Sequence, residues 1–115
     1  TVRETIGIAT DGNTIYSRCM TDSVLAVDTR ENNYTLRWKS SAHFGYDHNP
    51  SMLIEMNGVI IFGTKNGLIC GVGSRDGKLL WQHKIGNTSV QTITPLKQRE
   101  FLITTLDGKV GRIKF

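Results

Sequence analysis

The sequence predicts an all-β fold built from a repeated unit of roughly 40–45 residues. Short runs rich in Val, Ile, Thr and Leu follow one another and are separated by Asp-Gly and Asn-Gly pairs, which favour tight turns. Residues 28–38, DTRENNYTLRW, are matched by residues 73–81, GSRDGKLLW, and each segment follows a short apolar run. No window has the apolar period of a helix. A repeat of this length made of short strands is typical of a β-propeller, so we predict a fragment of that fold.

The repeat divides residues 1–115 into three blades of antiparallel strands. The first blade, about 5–41, has predicted strands at 5–10, 14–20, 23–28 and 35–39. The second, about 50–86, has strands at 52–56, 59–64, 68–73 and 79–84. The third, about 88–115, has strands at 90–96, 100–105 and 109–115 and lacks an outer fourth strand. Because an open edge exposes unpaired backbone groups, we expect another segment to cover it, and we place the chain at the C-terminal end of its parent domain.

Glycines support this division in two ways. The pairs Asn57-Gly58 and Asp76-Gly77 are examples of turns that need positive φ, which Gly and Asn adopt at low cost. By contrast, Gly63, Gly71 and Gly111 fall inside predicted strands. We expect them to mark close packing between successive sheets.

The length indicates an incomplete propeller. Even four blades need roughly 160 residues at ~40 per blade, and this chain has 115. We therefore predict that the remaining blades of a parent protein complete the ring. If the fragment is expressed alone, its open edge and blade faces favour self-association.

Charge and cysteine content exclude several classes of protein. The formal net charge is +4, but the 14 Lys and Arg residues are scattered and form no basic run, so we predict no nucleic-acid binding. The sequence has no apolar stretch of about 20 residues, so we predict no membrane span. Cys19 and Cys70 fall in different strand positions of different blades, so we predict two thiols and no disulfide.

The two tryptophans have a structural interpretation. Trp38 and Trp81 both lie in the outer strand of a predicted blade. An aromatic side chain in that position buries roughly 150–250 Å² against a neighbour. We predict that both pack against the adjoining blade and do not stack on a ligand.

The run NGLICGVGSRDGKLLW, residues 66–81, resembles the repeat of quinoprotein-type (PQQ-like) β-propellers. The resemblance implies either of two functions. Some members are dehydrogenases that hold pyrroloquinoline quinone (PQQ) and Ca²⁺, and others are cofactor-free scaffolds, including a periplasmic lipoprotein that helps insert outer-membrane barrels. The chain has no vicinal cysteine pair and no evident calcium-ligand set, so we expect a cofactor-free binding or scaffolding module. Members of this family are mostly periplasmic or extracellular, so the resemblance implies a parent protein that a bacterium exports to one of these locations.

The alternative is an accessory propeller of a larger enzyme. The segments HFGYDHNPS and KIGNTSVQT are similar to propeller domains appended to calcineurin-like metallophosphoesterases. A PQQ-dependent dehydrogenase is the other enzyme of this kind. In both cases the catalytic groups would lie outside this chain.

Residues 43–50, which connect the first two blades, form the longest irregular stretch. We predict that Tyr46, Asp47, His48 and Asn49, together with Asn87 in the next connection, contact a protein or carbohydrate-like partner. The alternative is a loop that only satisfies its own backbone groups. The segments 65–66, 86–88 and 106–107 are expected on the same face.

We predict no catalytic, metal or cofactor site in this chain. A metal site at His43, Asp47 and His48 is disfavoured because two of the three ligands would be adjacent in sequence. No Ser–His–Asp order, phosphate-binding glycine loop or carboxylate pair stands out.

Overall fold

The computed structural model describes residues 4–8, 13–19, 23–29, 35–40 and 53–115. Within these ranges the chain forms strands and turns without a helix, which confirms the all-β prediction. The eleven strands are β1 (Glu4–Ile8), β2 (Thr14–Cys19), β3 (Val24–Asp28), β4 (Thr35–Ser40), β5 (Leu53–Met56), β6 (Val59–Gly63), β7 (Leu68–Gly73), β8 (Leu79–Lys84), β9 (Val90–Pro95), β10 (Glu100–Thr105) and β11 (Val110–Lys114). All eleven were expected, and their ends differ from the predicted ones by two residues at most.

The strands form three antiparallel sheets, each made of consecutive strands. Blade 1 has the order β1-β2-β3-β4, blade 2 the order β5-β6-β7-β8, and blade 3 the order β9-β10-β11. The inner strands β1, β5 and β9 contact one another in sequence. Among the described strands β11 pairs with β10 alone, so blade 3 has the three strands that the sequence predicts. The described residues contain no helix of the length and apolar character that crossing a membrane requires.

Two apolar clusters lie between the blades. Alternation in each strand directs one set of side chains to each face, so that the central sheet is apolar on both sides. One cluster joins blades 1 and 2, and the other joins blades 2 and 3. The first contains Tyr16, Val24, Ala26, Trp38, Leu53, Ile60, Phe62, Cys70 and Val72, and the second contains Val59, Ile61, Ile69, Val90, Ile93, Phe101 and Ile103. The blades are therefore held by burial of sheet faces.

Trp38 packs against the adjoining blade, as predicted. Its indole Nε1 donates a hydrogen bond to the carbonyl oxygen of Ser74 in the β7–β8 turn, with an N···O distance of 2.9 Å. The ring centroid lies 6.1 Å from that of Tyr16. A Cβ atom at Gly77 would come within 2.8 Å of Trp38 Cζ3 and closer still to Cε3, so glycine gives the ring its space.

Trp81 performs the same role between blades 2 and 3. Its ring stacks on Phe101 with centroids 6.1 Å apart and lies 5.6 Å from the Phe115 ring. A Cβ at Gly71 would come within 2.5 Å of Trp81 Cζ2. Gly71 thus makes room for the tryptophan of its own sheet, and the prediction of direct sheet-to-sheet contact at this glycine is wrong. At Gly63 the prediction is confirmed, because a Cβ there would come within 2.7 Å of both Cγ atoms of Val90 in blade 3.

Candidate partner-binding face

Three turns lie side by side at one end of blades 2 and 3. They are the β6–β7 turn (64–67), the β8–β9 connection (85–89) and the β10–β11 turn (105–109), and we call them together the turn face. Backbone hydrogen bonds join them in series. Ile85 N donates to Gly67 O at 2.8 Å, Val90 N to Thr64 O at 3.2 Å, and Leu106 N to Ser89 O at 2.9 Å. The predicted common face is confirmed for these segments.

A buried threonine begins each of the two hairpin turns of the turn face. Thr64 and Thr105 are both only 2% exposed. Thr64 Oγ1 accepts hydrogen bonds from Asn66 N at 3.3 Å and from Leu68 N at 3.2 Å. Thr105 Oγ1 accepts one from Lys109 N at 3.1 Å. Each hydroxyl closes its turn, because it takes up amide groups that the strand ladder leaves unpaired.

Our sequence reasoning missed these threonines, although the chain contains a signal for them. Residues 64–67 read TKNG and residues 105–108 read TLDG, so a Thr-x-Asx-Gly pattern recurs at the repeat distance. The glycines Gly67 and Gly108 adopt positive φ, at 77° and 89°. The Asx-Gly pair alone predicts the turn, and the threonine at the end of the preceding strand completes the pattern.

Replacing Thr64 with valine is expected to destabilise the fold by about 1–3 kcal/mol, because two amide groups lose a buried acceptor while the side-chain shape is kept. Urea unfolding measures the cost, and hydrogen exchange at the Asn66 and Leu68 amides locates it. Thr94→Val is the matched control, since Thr94 is exposed on β9 and should change stability by less than about 0.5 kcal/mol. Equal effects for the two variants would contradict this role of Thr64.

The exposed side chains of the turn face are polar, with one apolar exception. Leu106 is 64% exposed. The polar residues are Lys65, Asn66, Asn87, Asp107 and Lys109, all of them exposed. The face therefore offers two cations, one carboxylate, two amides and an isolated apolar side chain. Such a mixture suits hydrogen bonds and ion pairs around a small apolar contact.

Asp107 is held in its ionised form by its neighbours on the turn face. The Thr105 hydroxyl donates a hydrogen bond to the Asp107 carboxylate and is the largest cause of its lowered pKa. A hydrogen bond with Thr88 and the charge of Lys109 also lower this pKa below the ordinary value of 3.8. The backbone amide of Asp107 in turn donates to Thr88 Oγ1 at 3.4 Å. Asp107 thus ties its own turn to the β8–β9 connection.

The pH dependence of the β10–β11 turn follows from this shift. Since the folded-state pKa of Asp107 is lower than the unfolded-state pKa, its stabilising effect is present above the unfolded-state value and is lost as pH falls through the folded-state value. Carbon-13 NMR titration of the Asp107 carboxyl should give a lower midpoint in the folded protein than in urea. Thr88→Ala should raise the folded midpoint, and a midpoint that equals the unfolded one would contradict the shift.

The structure places only part of the predicted contact loop. Asn87 is exposed in the middle of the turn face. Tyr46, Asp47, His48 and Asn49 lie outside the described residues, so their role stays a prediction. His83 lies outside the turn face, on the outer strand of blade 2, with its ring centroid 5.4 Å from that of Trp81.

The described residues were compared with the side-chain groups that commonly bind metal ions. They contain no group of three or more His, Cys, Asp or Glu side chains that could hold a metal ion. Within the described ranges we therefore assign no such site.

Comparison with known proteins gives structural matches. The sequence matches no protein-family model and no curated protein. BamB from Moraxella catarrhalis is similar in structure, with a TM-score of 0.81 and 22% identity over 99% of this chain. The computationally designed Ika4 protein has a TM-score of 0.71 with 17% identity over 90% of the chain. A europium-containing methanol dehydrogenase has a TM-score of 0.68 with 19% identity over 90% of the chain.

These matches cover only part of each known structure. The aligned region spans 34% of BamB, 61% of Ika4 and 21% of the methanol dehydrogenase. BamB is a PQQ-like β-propeller, and the methanol dehydrogenase is a quinoprotein. At such identities the likeness concerns the fold. The chain therefore has the fold of three consecutive blades of a PQQ-like β-propeller.

Proposed function

We propose that this chain is a binding or scaffolding part of a larger propeller, without catalytic activity of its own, and that a protein partner contacts the turn face. The observation that supports this most directly is the series of hydrogen bonds that joins the three turns. These hydrogen bonds preorganise the surface, so it loses little conformational entropy when a partner binds. Less of the interaction free energy is then spent on ordering the surface.

The side chains of the turn face favour a protein as the partner. Lys65, Lys109 and Asp107 offer both signs of charge around the exposed Leu106. Charged and polar groups around a small apolar centre resemble the mixed composition of protein interfaces. The predicted contact residues Tyr46, Asp47, His48 and Asn49 belong to the same proposal. A carbohydrate-like ligand is the alternative that a binding experiment has to separate.

An exported bacterial parent, periplasmic or extracellular, belongs to the same proposal. The structural likeness to BamB, a protein of the bacterium Moraxella catarrhalis, supports it. Fractionation of cells that express the parent protein tests the location. Recovery in the cytoplasm alone would contradict export.

Site-specific photocrosslinking in the parent protein tests the binding role. A photoreactive amino acid placed at Asn87 or Leu106 should give adducts of one defined mass in the native cells. The same amino acid at Arg75, exposed in the β7–β8 turn at the opposite end of blade 2, is the matched control. Adducts from Arg75 alone, or from none of the three positions, would contradict the proposal. Adducts lost after glycosidase treatment would favour the carbohydrate ligand.

The dehydrogenase alternative has its own test. Purified parent protein is titrated with pyrroloquinoline quinone and Ca²⁺ while the absorbance of the quinone is followed. We expect no saturable change. Saturable uptake would overturn the cofactor-free interpretation.

A further inference from the structure

The strand ends opposite the turn face carry a second surface. It consists of the β5–β6 turn (57–58), the β7–β8 turn (74–78) with the first residues of β8, and the β9–β10 turn (96–99), and we call it the basic face. Because successive strands of each sheet are antiparallel, these turns lie at the other end of the blades from the turn face. A partner on one face therefore leaves the other face free.

Cations predominate on the basic face. Four of its exposed side chains are positively charged, and Asp76 is the single carboxylate within these described turns. The cations are Arg75, Lys78, Lys97 and Arg99. Asp76 Oδ1 accepts a hydrogen bond from the backbone amide of Lys78 at 3.0 Å, so this carboxylate also serves its own turn. The face therefore attracts anionic groups.

The carboxylates at the adjoining strand ends have partners of their own. Glu55 Oε1 accepts a hydrogen bond from the Gly58 amide at 3.3 Å. Glu100 forms an ion pair with Arg112 of β11. In the described part of the chain, the four cations of the basic face form no ion pair. Their charge is thus available to a partner.

Two exposed leucines directly follow the cations of the β7–β8 turn. At the start of β8, Leu79 is 42% exposed and Leu80 is 54% exposed. Blade 2 packs against a neighbouring blade on each side, and both leucines are nevertheless exposed. Their exposure therefore does not come from a sheet face that lacks its neighbour.

The exposed leucine recurs in blade 1. Leu36 pairs with Val27 as Leu79 pairs with Val72, and both pairs lie next to the register shift of their sheet. Leu36 is also more than half exposed. Because β4 and β8 begin at the same end of the blades, each of the two blades has an exposed leucine at the rim of the basic face.

The β9–β10 turn presents its cations at a conformational cost. Gln98 and Arg99 adopt positive φ, at 53° and 67°, whereas the matching turn of blade 2 uses Asn57-Gly58. Positive φ is unfavourable for Gln and Arg and is tolerated better by Asn and Gly. The Arg99 guanidinium lies 5.2 Å from the centre of the Phe115 ring, which holds its charge at this end of blade 3. The turn thus keeps cationic side chains where an Asn-Gly pair would serve the fold with less strain.

We propose that the basic face binds a membrane surface that contains anionic lipids. The four cations contact lipid phosphates, and Leu79 and Leu80 enter the boundary between headgroups and acyl chains. The cations lie on separate turns, so mobile headgroups can reach all of them at once, whereas a protein partner would need carboxylates fixed at matching positions. In this orientation the turn face points away from the membrane. The two proposals concern opposite faces, so either can fail without the other.

Flotation with lipid vesicles tests the proposal. The purified parent protein is mixed with vesicles of phosphatidylcholine and phosphatidylglycerol in equal parts, and separately with vesicles of phosphatidylcholine alone. We expect saturable binding to the first, weakening as salt is raised, and little binding to the second. Equal binding to both would overturn the charge requirement, and binding to neither would overturn the site. Binding of labelled polyglutamate without binding of the vesicles would point to an acidic protein and overturn the membrane proposal.

Variants locate the binding. Arg75→Glu with Lys78→Glu should weaken binding to the anionic vesicles by about 25-fold or more, since each Lys or Arg near such a surface contributes about fivefold. Lys39→Glu with Lys84→Glu reverses the same charge at exposed sites near the other ends of β4 and β8, and should leave binding within about threefold. Arg75→Gln with Lys78→Gln gives a second comparison if the charge reversal disturbs folding. Unchanged affinity in the folded variants of the β7–β8 turn would contradict the proposal.

A tryptophan in place of Leu80 tests the entry of the leucines into the lipid. In anionic vesicles with bromine-labelled acyl chains, the added fluorescence of the Leu80→Trp variant should be quenched, because bromine quenches only at close range. Val110→Trp is the matched control, since Val110 is also exposed but lies at the end of β11 toward the turn face, and its added fluorescence should not be quenched. Equal quenching at both positions, or none at Leu80, would overturn the proposed orientation.

Discussion

Replacing Trp38 with alanine is expected to lower the free energy of unfolding by roughly 3–5 kcal/mol, the range for loss of a large buried aromatic side chain. Trp38 is only 9% exposed and belongs to the cluster that joins blades 1 and 2. The change leaves a cavity between the sheets and removes the donor to the carbonyl of Ser74. Urea unfolding followed by far-ultraviolet circular dichroism measures the loss.

Leu36→Ala is the matched control for this change. Leu36 lies on the same strand, β4, but is 55% exposed, so its replacement should alter stability by less than about 0.5 kcal/mol. Trp38→Phe retains most of the ring and loses the indole donor, and should cost less than Trp38→Ala. Similar losses for Trp38→Ala and Leu36→Ala would mean that the tryptophan does not hold the two blades together.

Replacing Gly63 with alanine is expected to destabilise the junction of blades 2 and 3 by about 1–3 kcal/mol, the usual cost of overpacking. The new methyl group would meet the Cβ and both Cγ atoms of Val90. Val90 cannot move away easily, because its amide donates to the carbonyl of Thr64, the next residue after Gly63. Thermal unfolding of the variant, compared with the natural chain, measures the effect.

Gly111→Ala provides the comparison for Gly63→Ala. Gly111 also lies inside a strand, but the three atoms nearest to a Cβ there, in the side chains of Ile103 and Ile85, are 3.3–3.5 Å away, compared with 2.7 Å or less at Gly63. The change should be nearly neutral, or slightly stabilising because alanine restricts the unfolded chain. A loss at Gly111 equal to that at Gly63 would contradict close packing between the sheets as the cause.

The strands and turns could be predicted because their signals are local. A short run of strand-forming residues marks β10, whose burial alternates along the strand. Asn57-Gly58 marks a hairpin in which both residues adopt positive φ. The tryptophan repeat identified the outer strands and the blade junctions. Each of these signals depends only on residues that are close together in the sequence.

The contacts between blades could be predicted only in outline. Gly63 and Gly71 look alike in the sequence, yet one faces Val90 of the next blade and the other accommodates Trp81 of its own sheet. The difference depends on which face each glycine shares with residues elsewhere in the chain. Of the predicted contact residues, Asn87 lies on the turn face, while the loop at 46–49 lies outside the described residues.

A double-mutant cycle between Trp38 and Gly77 tests most directly whether consecutive repeats are separate sheets joined by their tryptophans. Gly77→Ala is measured by urea unfolding in the natural chain and in the Trp38→Ala variant. In the natural chain the new Cβ meets the indole ring, and it also strains a backbone with φ of +74°. Without the ring, the strain and a contact of 2.9 Å with Ser40 Cβ remain. Gly77→Ala should therefore cost at least about 1 kcal/mol less in the Trp38→Ala variant. Equal costs in both backgrounds would show that the ring does not lie on Gly77, and the packing of blade 1 on blade 2 through Trp38 would be wrong.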